Sequence, residues 1–275
     1  MIKTILITNH PDIAADAQAA GVSRIMVDLE TMGKKKRQAT INSFISTHVP
    51  EDVAKIRAVV TDAELIVRIN PMHAGSAEEI DRAVDDGADI VMLPMITRLV
   101  QFDDFLERLN GRARPLPLLE TAYSMAHISD IAFHEAIDEV YFGLNDLHLS
   151  LGLDFLFEPL ALGLIDWMGS MVTACGKSFG FGGMATIGQG ELPAERILGE
   201  HVRMGSSCVI LSSRFGKDVN IGEAEGRRER LAQAVGAIQS TWETLSRRSA
   251  LQVQDDTRDT FLRIRQLAER VRSKG

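Results

Sequence analysis

The chain has 275 residues, a formal net charge of −8, and 45% hydrophobic, 25% charged and 5% aromatic residues. That composition belongs to a folded domain rather than a disordered one, and its acidity speaks against nucleic acid or an anionic membrane as the main partner. The two cysteines, Cys175 and Cys208, stand outside any Cys-x-x-Cys pair, so neither a disulfide framework nor a thiolate zinc site is expected. The apolar run in Met1–Asp12 is too short for a leader or a span, and no later stretch approaches about 18 apolar residues. A cytoplasmic location follows as the expectation.

Short β-branched runs alternate with helical patterns. Strands are predicted at Thr4–Thr8, Arg24–Glu30, Leu65–Asn70, Asp89–Ile96, Leu116–Thr121, Glu139–Asp146, Ser178–Met184 and Ser207–Phe215. Eight strand–helix units in about 220 residues fit a (β/α)8 TIM barrel better than a doubly wound open sheet. Gly21, Gly87 and Gly205 close the helices that precede strands, and Ser76 with Glu79 reads as a capping box. Helical patterns at Gly222–Arg248 and Asp256–Ser273 follow the last strand. The barrel domain is thus read as residues 1–250, with 251–275 as an additional C-terminal helix. Its apolar Phe261, Leu262, Ile264, Leu267 and Val271 must be covered, by the barrel itself or by a neighbouring subunit.

Charged residues recur at one end of these strands. Asp28 and Glu30 share a face of the second strand, and Arg68 and Asn70 a face of the third. Glu120 ends the fifth apolar run, and Asp146 the sixth. Residues at the C-terminal ends of barrel strands face the site, and ionised groups there cost several kcal/mol unless paired or metal-bound. Glu120 and Asp146 fall on neighbouring strands about 4.8 Å apart. They repel one another unless a cation lies between them, and a hard divalent ion suits them. The alternatives are a pair with Arg68 or, for Asp146, a helix cap. Arg68 offers a forked donor to a carboxylate or enolate oxygen, or pairs internally with Glu30.

Other features carry weaker signals. Gly180–Ala185 formally fits G-x-G-x-x-A, but it comes late and no helix opens directly after it. It reads better as a seventh strand whose bare Gly182 and Gly183 leave room and amide N–H groups for substrate, or as tight helix–strand packing. His10, His48 and His148 are candidate proton carriers, each more commonly a plain surface or hydrogen-bonded residue. Lys34–Arg37 reads as a solvated helix start or a contact to phosphate or CoA. Ser212–Arg214 ends the eighth strand, a common anion position in barrels.

Leu119–Glu120–Thr121, followed by Phe142–Gly143–Leu144–Asn145–Asp146–Leu147 and then Leu151–Gly152, resembles the HpcH/HpaI aldolase and citrate lyase β-subunit family. Val67–Asn70, Val91–Met95 and Val27–Glu30 resemble that family's third, fourth and second strands, so the likeness spans roughly residues 1–215. It implies a TIM barrel that binds Mg²⁺ or Mn²⁺ and makes or breaks C–C bonds beside a 2-oxo acid or an acyl thioester. By the resemblance Glu120 and Asp146 become metal ligands. Arg68, with Asp28 and Glu30, becomes the catalytic group that holds substrate oxygen. It further implies a homo-oligomer, trimer or hexamer, in which the last helix is exchanged between protomers. Thr31 stands where the pyruvate aldolases carry a catalytic His and the citrate-lyase-like branch an Asp. The expected activity is cleavage of a 4-hydroxy-2-oxo acid to a pyruvate-type enolate and an aldehyde. The alternatives are a lyase of a malyl- or citramalyl-CoA-like thioester, and a non-catalytic carboxylate-binding barrel.

Overall fold

The computed structural model describes residues 1–33 and 47–273. Its eight strands are β1 (Lys3–Ile7), β2 (Arg24–Asp28), β3 (Glu64–Arg68), β4 (Ile90–Leu93), β5 (Arg114–Leu119), β6 (Glu139–Phe142), β7 (Ser178–Met184) and β8 (Cys208–Leu211). All pair in parallel in sequence order, and β1 against β8 closes the ring, so the fold is a TIM barrel. Most strands end two to four residues before the expected boundary. The difference matters at Leu144–Ser150, where the chain turns into a helix that carries Asp146 in its first turn rather than on a strand.

The strands read as almost continuous apolar runs because both faces are covered. One set of alternating residues fills the lumen: Ile5, Met26, Ile66, Ile90, Met92, Leu116, Leu118, Tyr141 and Cys208. The opposite set, including Ile25, Val27, Leu65 and Val67, packs under the helices. The lower end of the lumen is stoppered by ions. Arg24, 1% exposed, donates to Glu64 and Glu139 at 2.7 Å each. Glu139 also accepts from the Ser207 hydroxyl and the Cys208 thiol, and Arg114 pairs with Glu64. With every charge partnered, the desolvation cost of burying them is offset.

Helices α1 (Pro11–Ala19), α2 (Glu51–Arg57), α3 (Ser76–Asp85) and α4 (Leu99–Leu109) cover the first half of the barrel. Gly75 rather than Ser76 caps α3, and the Ser76 hydroxyl instead accepts the His73 N–H. Helices α5 (Ala122–Ala126), α6 (Ile128–Phe133), α7 (Leu144–Ser150), α8 (Glu158–Ala161) and α9 (Leu164–Ala174) follow β5 and β6. Then come α10 (Ala194–Met204), α11 (Ser213–Asp218), α12 (Arg227–Ser246) and α13 (Ala250–Arg272).

Helix α12 completes the ring between α1 and α10, and its Arg227 reaches Asp12 and Asp16. Helix α13 opens on a capping box of Ser249 and Gln252 and lies across α8 and α10 of the same chain. It buries Thr260, Ile264, Leu267 and Ala268, half-buries Phe261, and leaves Leu262 and Val271 exposed. Thr257 donates to Glu200 of α10, and Arg272 pairs with Asp154 just past α7. Among the described residues no helix is long and apolar enough to cross a membrane.

Candidate active site at the barrel mouth

The sequence-predicted charges converge at the upper end of the lumen. Arg68 is the last residue of β3 and lies in register with Asp28, the last residue of β2. Its guanidinium forks onto Asp28, Nε to Oδ1 at 2.8 Å and Nη2 to Oδ2 at 2.7 Å. Glu30 stands 3.6 Å from the same Nε, so the main partner of Arg68 is Asp28 and Glu30 is the second. Burial works against the Arg68 charge, yet Asp28, Glu30 and Glu120 hold it firmly protonated. Asp28 is itself fixed from behind. Its amide donates to His48 Nδ1 at 2.9 Å, and its carboxylate accepts the Glu30 amide at 3.2 Å.

Glu120 follows the last residue of β5 and is 3% exposed. One oxygen accepts the Met95 N–H at 3.0 Å. Met95 reaches that position with φ of 53°, a left-handed backbone uncommon for a non-glycine residue. The other oxygen lies over Gly143. A Cβ built on Gly143 would stand 2.6 Å from Glu120 Oε2 and 2.9 Å from its Cβ, so only glycine leaves Glu120 its place. Burial, then Glu30, then Asp146 push the Glu120 pKa well above the ordinary carboxylate range, against the opposing pull of Arg68 and the Met95 amide.

These five groups carry four carboxylates against one guanidinium. Such a cluster is stabilised by a dication and destabilised without one. Among the described residues no three His, Cys, Asp or Glu side chains form a ready-made metal cage. Two buried carboxylates suit Mg²⁺ or Mn²⁺, which take few protein ligands and complete their shell with water and substrate oxygens, and do not suit zinc. The residues present therefore fit a divalent hard cation held by Glu120 and Asp146.

The remaining sequence candidates separate. Thr31 is exposed, and its N–H, with that of Met32, is tied to Asn70 Oδ1 at 2.9 Å; Asn70 in turn donates to Glu79 at 2.8 Å. Position 31 is thus a tethered loop residue rather than a proton carrier. His10 is exposed and caps no helix amide through its ring. His148 is buried on α7, its Nδ1 3.2 Å from the Leu144 carbonyl, and lies two residues from Asp146, on another face of that helix. Ser212 caps α11 through the Phe215 N–H, and Arg214 pairs with Asp218 at 2.6 Å, so the end of β8 is closed on itself. Lys34–Arg37 lies outside the described residues.

The glycines of β7 differ in what surrounds them. A Cβ at Gly180 would meet Cys208 Sγ at 2.4 Å and Tyr141 Cε2 at 2.7 Å, so its vacancy is filled by protein, not ligand. Gly182 has φ of 62°, and a Cβ at Gly183 would make only ordinary contacts, 3.6 Å to Ser212 Cβ and 3.9 Å to the Ile210 carbonyl oxygen. From sequence Met95 stands out only as the end of the Val91–Met95 likeness; its part in the site is played by its backbone N–H. His48 and Asn70 support the site through contacts between residues distant in the chain.

The family model described as HpcH/HpaI aldolase/citrate lyase matches residues 5–191. No curated protein matches the chain. Among solved structures, the chain is similar to the CitE protein of Mycobacterium tuberculosis in complex with magnesium, acetoacetate and coenzyme A, at 18% identity and a TM-score of 0.61 over 90% of this chain and 82% of that one. The citrate lyase beta subunit of M. tuberculosis complexed with oxaloacetate and magnesium gives 18% identity and 0.58, covering 85% of this chain and 96% of that one. An HpcH/HpaI aldolase from Desulfitobacterium hafniense gives 15% and 0.59, covering 80% and 90%. At these identities the likeness to each structure is one of fold.

Proposed function

The chain belongs to the HpcH/HpaI aldolase/citrate lyase family, and from that premise we propose that it is a divalent-metal-dependent carbon–carbon lyase acting on a 2-oxo acid. The observation that carries this reading is the Asp28–Arg68 fork, set beside a buried Glu120 in a cluster with excess negative charge. Glu120 and Asp146 would hold Mg²⁺ or Mn²⁺, which when bound supplies positive charge to the carboxylate and keto oxygens of the substrate. Arg68 donates to the oxygen on which charge develops, and Asp28 fixes its orientation in advance, so little reorganisation is needed as the reaction proceeds.

In cleavage of a 4-hydroxy-2-oxo acid the C3–C4 bond breaks. Its electron pair becomes the C2–C3 double bond of the enolate, with the negative charge on the C2 oxygen. The C4 hydroxyl becomes the aldehyde carbonyl, and its proton passes to a base. We assign that proton to Glu30, whose carboxylate stands 3.6 Å from Arg68 Nε and close enough to Glu120 to raise its pKa. The solved relatives that hold magnesium with oxaloacetate or acetoacetate support the same class of ligand.

Enolate formation is testable without knowing the aldehyde. The methyl protons of pyruvate should exchange with D₂O, followed by NMR, when Mg²⁺ or Mn²⁺ is supplied. Exchange should stop with chelator and in Glu120→Gln. Exchange that survives chelation would sink the metal-dependent account. A second reading, a lyase of a CoA thioester, draws on the likeness to the structure holding acetoacetate and coenzyme A. It predicts saturable CoA binding that weakens when Lys34–Arg37 is neutralised. Ligand-induced thermal stabilisation with no turnover of either substrate class would instead identify a carboxylate-binding barrel.

A further inference from the structure

The barrel mouth has two unlike halves. Asp28, Glu30, Arg68, Glu120 and Asp146 occupy the side of β2, β3, β5 and α7. On the side of β7, β8 and β1 the inward positions are Gly183, Ile210 and Ile7. Both isoleucines pack on the lumen core yet remain only half-buried, so they face the opening rather than closed core. These three inward positions carry no charge.

A β-bulge gives the wall its shape. Gly180 pairs with Cys208 and Gly183 with Ile210, so three steps along β7 match two along β8. The extra residue restores Gly183 to the lumen side and leaves the seam short of a rung. Tyr141 supplies that rung from inside the barrel. Its hydroxyl donates to the Gly182 carbonyl at 2.7 Å and accepts the Ile210 N–H at 2.8 Å. Its ring lies in the gap that Gly180 leaves, and it is 1% exposed. A buried hydroxyl with both its bonds made to main chain fixes the separation of the two strands at that level.

We propose that Tyr141 is a positioning residue whose hydroxyl holds the β7 bulge and so keeps the Gly183–Ile210–Ile7 wall open as the subsite for the uncharged, short-chain carbonyl fragment of the substrate. The proposal rests on the aldolase reading above. The charged half takes the 2-oxo acid end, and the fragment beyond C3 then lies against the opposite, apolar half. Tyr141 touches no reacting atom. Its effect falls on which aldehyde fits, not on enolate formation.

The test compares two reactions of the metal-loaded protein: deuterium exchange into pyruvate, and aldol addition of pyruvate to acetaldehyde, propanal and butanal. Gly183→Ala adds one methyl that meets protein only at ordinary contact distance, so the fold is retained. It should raise KM for butanal at least fivefold relative to acetaldehyde and leave exchange within twofold of wild type. Tyr141→Phe keeps the ring and removes only the stitch. It should raise KM for the aldehydes and flatten the preference among them, again with exchange preserved. Equal effects of Gly183→Ala on all three aldehydes would overturn the subsite. Loss of exchange in a folded Tyr141→Phe protein, or an unchanged aldehyde profile, would overturn the positioning role. If Tyr141→Phe does not fold, the Gly183→Ala profile still decides the subsite. Absence of exchange in the wild type would refute the aldolase reading itself, a different result from exchange that stands while aldehyde preference does not move.

Discussion

At the scale of single residues the site depends as much on what is missing as on what is present. Gly143 is required because Glu120 occupies the space where any side chain would begin, and Glu120 in turn is pinned by a backbone amide that Met95 presents from a left-handed conformation. Gly143→Ala should therefore displace Glu120 rather than simply crowd the loop. We expect affinity for Mg²⁺ or Mn²⁺, read by calorimetric titration, to fall by an order of magnitude or more, with the circular dichroism spectrum unchanged. Undiminished metal binding in that variant would show that Glu120 is not a ligand. Asp28 gives the contrasting case. It binds nothing from outside in our reading, yet it fixes the fork of Arg68, and lysine at position 68 cannot reproduce a two-point contact.

At the scale of elements, charge at the ends of apolar strands made most of the site legible in advance. Asp28, Arg68 and Glu120 stand at or next to strand ends because a period of two places alternate residues in the lumen, and that rule needs no coordinates. It misplaced Asp146, since Gly143 breaks the strand and a helix begins at Leu144. It also gave no sign of the β7 bulge. A bulge is a mismatch between two strands, and one strand's sequence does not record its partner's register.

Packing between α10 and β7 holds a titratable group that sequence could not single out. His201 is wholly buried, its ring stacked on Phe181 with centroids 3.7 Å apart, its Nδ1 2.8 Å from Ser206 and its Nε2 without a hydrogen-bond partner. Burial pushes its pKa down to about 3. The folded ring thus stays neutral where the unfolded chain, with an ordinary pKa near 6.5, takes up a proton. The stability tied to the neutral ring is present above about pH 6.5 and is lost progressively as pH falls towards 3. Between pH 7 and pH 5 the loss is about 2 kcal/mol. His201→Phe keeps a stacked ring without a titrating nitrogen. Its urea-unfolding stability should decline less over that interval by about the same amount; parallel pH profiles for the two proteins would refute this origin of acid sensitivity.

At the scale of the whole molecule, the helices beyond β8 extend one βα rhythm into a brace. Helix α13 links α10 to α8 and ends in an ion pair with the segment just past α7, so the chain's last described turn lies next to the element that carries Asp146. The ionic stopper at the other end of the barrel has a consequence of a different kind. With Arg24, Glu64 and Glu139 sealing the floor, and Tyr141, Leu118 and Met92 filling the lumen above it, the barrel is closed from below among the described residues, and on the proposed aldolase reading both reactants reach the site from the mouth. We infer that binding from one side is sequential: the oxo acid, whose proposed partners lie among the strand ends, enters before the aldehyde and leaves after it. Steady-state kinetics in the cleavage direction should accordingly show pyruvate as a competitive inhibitor and the aldehyde as a noncompetitive one. The reverse assignment would require the aldehyde to be the inner guest.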